Sequence, residues 1–483
     1  MQKTKLKIEA AFPHVEVVLT PRESRGDLLQ NIPLQTVEGS DFFTQDIFDD
    51  LSDGSADIAV HSLKDMSTEH FFGPNKFAVV DRDDIRDIAI FNNNIEKKIQ
   101  DGDAIVIGTC SPRREEMAID FLQKALPQWN ENFVVKTKII RGNVDSRLRK
   151  LSNGEYDGII LATAGINRLL ESSTDAPTIE ILLTDKKLMM LPLVECVPAP
   201  CQGAIVAEAH ASNQFAVKII ETINDPFLFE QCVAEKMTAS QHGKGCLQKF
   251  GVATIQYTPH KSVVYAAGEN QHGVKFSHWS HLPDLNLNHE VLFSTTSYMG
   301  KFFTYSYPNA DVNIEKPNVY VANYKAVKTD SIIAQLQTKN VWAAGTKTWL
   351  ELAKKKIWVM GSADAFGLQF LERSWTMPIL KISKESICII TANSSVDNWK
   401  KKGWMAIGTY DFIIKKDENI EKQVVEASAF FWTSIHQYNH YKPLIKKDAI
   451  HLCPSGETAE LLTAAGLSPI IFPNIKSFLQ WKG

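Results

Sequence analysis

A chain of 483 residues, 44% of them apolar, has material for about three or four packed domains. Its 56 acidic and 52 basic side chains leave a formal charge of -4, which excludes a broad nucleic-acid surface while leaving room for a local basic cleft. No apolar run approaches the ~20 residues that cross a bilayer, and the first residues, MQKTKLKIEAAFPH, lack the apolar core of a signal peptide, so the expected location is the cytoplasm.

Taken in chain order, Val15–Leu19 (VEVVL) reads as a strand. Phe43, Ile47, Phe48 and Leu51 recur at helical spacing, with Ser40 or Asp41 as the cap. Asp57–Leu63 (DIAVHSL) reads as a buried strand ending at Lys64 and Asp65, and Ala104–Ile107 as another. The turn GTCSP follows; Ser111 suits an N-cap and Pro112 the first helical residue, and Met117, Phe121 and Leu122 continue that helix. Gly158–Ala162 is a further strand, with a helix near Ala164–Leu170. The turn PAPCQGA (198–204) suits a hinge. A helix (FLFEQCVAEKMTAS), a glycine-rich loop (HGKGC) and two strands (FGVATIQY, SVVYAAGE) then make a smaller unit. The pattern pauses at LPDLNLNH (282–289), read as a linker, before strands and helices alternate again. Such alternation predicts parallel sheets flanked by helices, in which ligands bind beyond the carboxyl ends of the strands.

The polar residues that stand out lie at those ends. Arg113 and Arg114 open a helix, Arg141 and Arg147 lie in RGNVDSRLRKL, and Arg168 ends AGINR. Guanidinium groups at a helix N-terminus suit carboxylate ligands; a solvated helix face with surface ion pairs is the plainer role. Asp65 suits proton transfer or stabilisation of a developing cation, and equally a turn cap. Cys246, after two glycines in HGKGC, suits nucleophilic attack from an exposed loop, or is an inert thiol. The seven cysteines show no metal-ligand spacing, so reduced thiols and no metal are expected.

Six strings occur in order: HSLKDMST (61–68), IGTCSPRREEMA (107–118), RGNVDSRLRKL (141–151), NGEYDGIILATAGINRL (153–169), PAPCQGAI (198–205) and GKGC (243–246). Together they resemble the hydroxymethylbilane synthase (porphobilinogen deaminase) family over about residues 10–280. The resemblance implies a cytoplasmic enzyme, a monomer with no nucleic-acid or membrane partner, that joins four porphobilinogens into hydroxymethylbilane with release of ammonia. It implies a dipyrromethane cofactor covalently attached at Cys246 and a catalytic carboxylate at Asp65. Lys64, Thr109, Ser111, Arg113, Arg114, Arg147 and Gln202 match cofactor-holding positions, and Arg141 and Arg168 positions that handle substrate. The implied fold is α/β. Two lobes like periplasmic binding proteins, with parallel or mixed sheets, span 1–84 plus 200–222 and 85–199. A small α+β cofactor-attachment domain spans 223–283.

The chain departs from that family in places. The family opens with a strand and turn resembling IGTRGSxLALxQ, whereas QKTKLKIEAAFPHVEV here resembles the end of the first helix, so a start after that point is expected. Ser40 and Gln45 stand where the family has two lysines, and GKGC runs into LQKFG without the usual proline.

Residues 290–483 resemble uroporphyrinogen-III synthase through VWAAGTKTWLEL, WMAIGTYDF, FFWTSIHQYNHY and HLCPSGETAELLTAAGLSPIIF. That implies a two-lobed α/β region that closes hydroxymethylbilane into a ring. Tyr410 matches a cleft tyrosine, and Ser455, Gly456 and Thr458 are candidates to hold propionates at a helix start; capping by Ser455 and packing of Tyr410 are the plainer roles. The expectation is a bifunctional fusion, and the alternative is a catalytically impaired anion- or tetrapyrrole-binding protein of the same fold.

Overall fold

The computed structural model describes residues 1–21, 45–243, 248–308 and 312–483. The chain divides into two compact units. One comprises Met1–Gln123, Asn130–Thr254 and Val264–His278, the other Lys124–Trp129, Ile255–Val263 and Trp279–Gly483.

The strands of the first unit are β1 (Ala59–Ser62), β2 (Lys76–Arg82), β3 (Asp87–Phe91), β4 (Ile105–Gly108), β5 (Val135–Lys138), β6 (Gly158–Ala162), β7 (Lys187–Met190) and β8 (Ala204–Ala209). β8 runs between β1 and β2, antiparallel to both. The larger sheet has the order β5-β4-β6-β3-β7, parallel across β5, β4 and β6 and antiparallel where β3 meets β6 and β7. β3 and β8 are buried from end to end, which is why DIAIF and AIVAEA are near-continuous apolar runs rather than alternating ones. The exceptions within them, Asp87 and Glu208, therefore need buried partners.

Helix Gln2–Ala11 places Ile8 against Ala78, Val80, Ala207 and helix Gln214–Ile223. The expected strand Val15–Leu19 joins no ladder among the described residues. Side chains of that helix satisfy the extended backbone instead: Lys5 Nζ donates to the Val17 carbonyl at 2.7 Å, and the Val17 amide donates to Glu9 at 3.4 Å.

Helix Pro226–His242 carries a sheet in the order β11-β10-β9, where β9 is Lys249–Thr258, β10 Lys261–Glu269 and β11 Lys275–Ser280. Sequence reading found the first two strands and missed β11. Phe250, Val252, Val264 and Ala266 pack on Ala239 of the helix. The sheet also meets the turn before β8: the Val252 amide donates to the Pro198 carbonyl at 3.0 Å.

The second unit has β12 (Leu292–Ser294), β13 (Phe303–Ser306), β14 (Asn318–Val321), β15 (Asn340–Ala343), β16 (Val359–Ser362), β17 (Ile387–Ala392), β18 (Met405–Ile414), β19 (Ala429–Phe431), β20 (Ile450–Pro454) and β21 (Ile470–Phe472). One sheet, β12-β19-β20-β21, is wholly parallel. The other has the order β13-β18-β17-β14-β15-β16 and is parallel except for β13. Its connections run outward both ways from β14 and β17, which makes that junction a topological switch point. The segment read as a linker is irregular, yet Leu282, Leu285 and Leu287 pack against Phe431, Leu452, Phe472 and Phe478 and so belong to this unit's core. Among the described residues no helix is long and apolar enough to cross a membrane.

Gly251 on β9 has no room for a side chain. A Cβ there would lie 2.2 Å from the Val197 carbonyl oxygen and 2.5 Å from that of Pro198. Gly251→Ala is expected to cost about 1–3 kcal/mol through forced backbone displacement, read as a lowered urea midpoint for the first unit.

Candidate functional site

β1 ends in a single tight turn, Leu63–Asp65. Leu63 drops into a core with Met66, Phe71, Val79, Cys201 and Cys232, which leaves Lys64 and Asp65 half-buried at the carboxyl end of the strand. Among the described residues neither side chain makes a hydrogen bond or ion pair. The Asp65 carboxylate does act through space on Arg114, whose charged form it favours.

At the end of β4 the Ser111 amide donates to Thr109 Oγ1 at 3.2 Å, and the Ser111 carbonyl accepts from Glu115 as helix Pro112–Ala125 begins. Pro112 is the first helical residue, and Ser111 Oγ faces the Arg114 amide at 3.5 Å, as its expected capping role requires. The next two side chains turn inward. Arg113 Nη2 reaches Asp87 Oδ2 at 2.8 Å; Arg114 meets the same carboxylate twice, Nε to Oδ2 at 3.1 Å and Nη2 to Oδ1 at 2.8 Å. Gln202 Nε2 adds a fourth bond, to Oδ1 at 2.9 Å. Backbone carbonyls take further donors: Val197 from Arg113, Ile160 from Arg114 and Ile85 from Gln202.

Asp87, fully buried at the start of β3, is the residue sequence reasoning missed. The available signal was a lone acidic residue heading an apolar strand, in RDDIRDIAIF, which must be paired if that strand is interior. Burial pushes its carboxyl up, but Arg113 and Arg114 outweigh that and hold it well below the usual carboxylate range. Burial presses the Arg113 charge down; Asp87 restores only part of it, and Arg114 adds repulsion. Arg114 also loses solvation, yet Asp87, aided by Cys110 and Asp65, more than compensates it.

Arg147 completes the cluster. Helix Val144–Ser152 is capped by Asn143, and Arg147 Nε donates back to the Gly142 carbonyl at 2.6 Å. Burial weakens its charge, with repulsion from Arg114 and Arg141 and some relief from the Cys110 thiol. Four guanidinium groups, of Arg113, Arg114, Arg141 and Arg147, thus share a neighbourhood with two carboxylates, Asp65 and Asp87. That surplus of partly desolvated cations fits a ligand bearing several carboxylates, such as dipyrromethane. Arg168 stands apart. It donates to the Gly203 carbonyl and stabilises Asp83, and its Nε is buried without a partner among the described residues. Cys246 and Ser40 lie outside the described residues, as does the side chain of Gln45.

In the second unit Tyr410 is buried on β18, with the rings of Tyr305 and Tyr307 at 6.0 and 6.4 Å. Burial pushes its phenol well up. Lys325, in the loop after β14, lies 4.8 Å over Tyr305 and 4.7 Å over Tyr324. Sequence reading missed this lysine and these tyrosines, although NYK follows a buried strand directly. The plainer role read for Ser455, capping, is corrected. Gly456 is the N-cap of helix Glu457–Ala464, and the buried Ser455 hydroxyl donates to the Pro473 carbonyl at 2.6 Å. Thr458 Oγ1 donates to the Thr433 carbonyl at 3.3 Å.

Asp87→Asn leaves two buried guanidiniums without an anion and is expected to cost about 3–5 kcal/mol. Because the folded carboxyl is depressed, the stability it contributes is complete above its unfolded value of about 3.9 and is lost as the pH falls below that. Urea midpoints measured at neutral pH and down through the acid range should show that slope in the native chain and a shallower one in Asp87→Asn.

Residues 1–218 match the family model for the porphobilinogen deaminase dipyromethane cofactor binding domain. Porphobilinogen deaminase of Geobacter sp. (strain M21) is 34% identical over 253 residues, 52% of this chain and 72% of the relative. That of Streptococcus sanguinis (strain SK36) is 30% identical over 240 residues, 50% of this chain and 72% of the relative. A crystal structure of a probable amino-acid ABC transporter extracellular-binding protein from Bacillus subtilis overlaps 49% of this chain and 84% of its own, at 13% identity and a TM-score of 0.24, too slight to bear on the fold. On the sequence relatives, the chain belongs to the porphobilinogen deaminase family.

Proposed function

We propose that the first unit is a hydroxymethylbilane synthase, built from lobes at 1–84 plus 200–222 and at 85–199 and a cofactor-attachment domain at 223–283. The observation that carries this reading is the surplus of buried guanidinium charge beside Lys64 and Asp65, whose side chains make no hydrogen bond or ion pair among the described residues. In this reading Arg113, Arg114, Arg147 and Lys64 hold acetate and propionate groups, Thr109 and Ser111 orient them, and Arg141 and Arg168 receive the incoming unit. When bound, the dipyrromethane would supply the nucleophilic pyrrole carbon to which the first porphobilinogen is joined. Asp65 stabilises the positive charge that develops as ammonia leaves, at a site already rich in fixed charge. Tethering at Cys246 makes each addition effectively intramolecular. A binder without turnover remains the second reading, because Ser40 and Gln45 stand where the family has lysines.

For the second unit we propose ring closure of the linear product at the carboxyl ends of the six-stranded sheet. Lys325 sits beyond β14 at the switch point, where parallel sheets bind ligands, and lies over Tyr305, which flanks Tyr410. Its Nζ offers a charge for a carboxylate, and the tyrosines offer aromatic faces to pyrrole rings.

Intact-mass measurement of the purified chain should show an adduct of dipyrromethane size that disappears in Cys246→Ser; an unmodified native chain that still binds polycarboxylates favours the binder. Asp65→Asn should keep the adduct and the fold while lowering turnover by about 100-fold or more; near-normal turnover removes Asp65 from its role. Supplied with hydroxymethylbilane, the native chain should yield the type-III ring and Tyr410→Phe less of it; the type-I ring alone from the native chain ends the cyclase reading.

A further inference from the structure

The turn that bears Lys64 and Asp65 belongs to a segment running from β1 to β2, and one buried carboxylate holds that segment at three points. Glu208 lies on β8, directly opposite Ala59 on β1 and Phe77 on β2, and is wholly buried. His61, the last buried residue of β1 before the turn, places Nε2 2.9 Å from Glu208 Oε2. His70, in the short helix Thr68–Phe71 just past the turn, meets Oε1 at 2.8 Å. Asn75, immediately before β2, donates to the same oxygen at 2.7 Å. The entry, middle and exit of the segment thus converge on one anion.

A charged group at the centre of a sheet has to justify its desolvation through its partners. Burial pushes the Glu208 carboxyl up, but the hydrogen bonds from His61, His70 and Asn75 outweigh that and bring it down to about 2, so it is a fixed negative charge at neutral pH. A core sheet needs only an apolar side chain at this position; its neighbours Val206, Ala207 and Ala209 supply such residues. What Glu208 adds is definition of the segment between the two strands. A further tether acts on the turn itself: the buried amine of Lys236, on helix Pro226–His242, donates to the carbonyl of Met66, next to Asp65.

We propose that Glu208 is a positioning residue for Asp65, fixing through His61, His70 and Asn75 the turn that presents Asp65 to the substrate. This rests on the reading of Asp65 as the catalytic carboxylate. An error of an ångström in such a group costs on the order of 100-fold in rate, so the effect should appear in kcat while KM for porphobilinogen stays near its native value.

The test is Glu208→Gln in the full chain, with Glu208→Asp as the conservative variant and His70→Gln as a milder cut to the same tether. Steady-state kinetics, intact mass and hydrogen exchange of residues 61–75 are measured on each. Expected for Glu208→Gln are an intact dipyrromethane adduct, kcat lowered by about 100-fold with KM unchanged, partial recovery in Glu208→Asp, and faster exchange confined to the segment. A folded Glu208→Gln with native kcat overturns the proposal, as does a loss in which KM rises with the fall in kcat and the melting temperature drops in step. If Glu208→Gln does not fold, His70→Gln decides: a smaller fall of the same kind sustains the role, and native kcat overturns it. Should the native chain itself show no turnover, the functional reading fails separately. The exchange measurement then stands alone: faster exchange within 61–75 sustains the positioning role, and unchanged exchange overturns it.

Discussion

The architecture of the first unit depends on one buried carboxylate. Asp87 draws together the start of the helix after β4, the first residue of β3 and the turn before β8, elements that are remote in sequence. Burying two guanidinium groups without an anion is prohibitive, and burying them with two anions would leave nothing for a ligand. A single shared carboxylate lies between those limits. It makes the fold possible and leaves the neighbourhood electropositive, with Arg147 and Arg141 adding to the imbalance.

The same economy of charge recurs across the unit. Glu208 is shared by three donors from one segment, and Glu235 by Arg82, the Cys201 amide and the Thr254 amide. Each anion joins a strand to something that does not neighbour it along the chain. Backbone ladders alone set the distances between strands; these carboxylates set where the intervening turns point. A protein whose overall charge is slightly negative can therefore carry a site with the opposite sign.

Much of this was legible before any coordinates. GIILA forms β6 with the bounds the pattern gave, and Ser111 and Pro112 begin their helix as the cap chemistry requires. Local rules succeed where a few adjacent residues decide the outcome. They failed where the deciding partner is distant. The role of Asp87 shows only once Arg113, Arg114 and Gln202 are seen around it, and Glu208 sits in an otherwise apolar run until His61 from the neighbouring strand and His70 from past the turn reach it. Val15–Leu19 has strand composition but no strand beside it among the described residues, so side chains of the preceding helix fill its hydrogen bonds. Ser455 has the composition of a cap, but Gly456, at a φ of 83°, makes the turn into the helix one residue later and leaves the hydroxyl to the Pro473 carbonyl.

The leucines at 282, 285 and 287 have a practical consequence. A pause in the pattern invites a cut after residue 289, separating the two halves for independent expression. Such a cut would strip three apolar side chains from Phe431, Phe472 and Phe478 and leave the C-terminal fragment with a greasy face prone to self-association. Upstream of these leucines, the Trp279 amide is already held by Gln480 at 2.8 Å. The apparent connector is the strap that closes the second half upon itself.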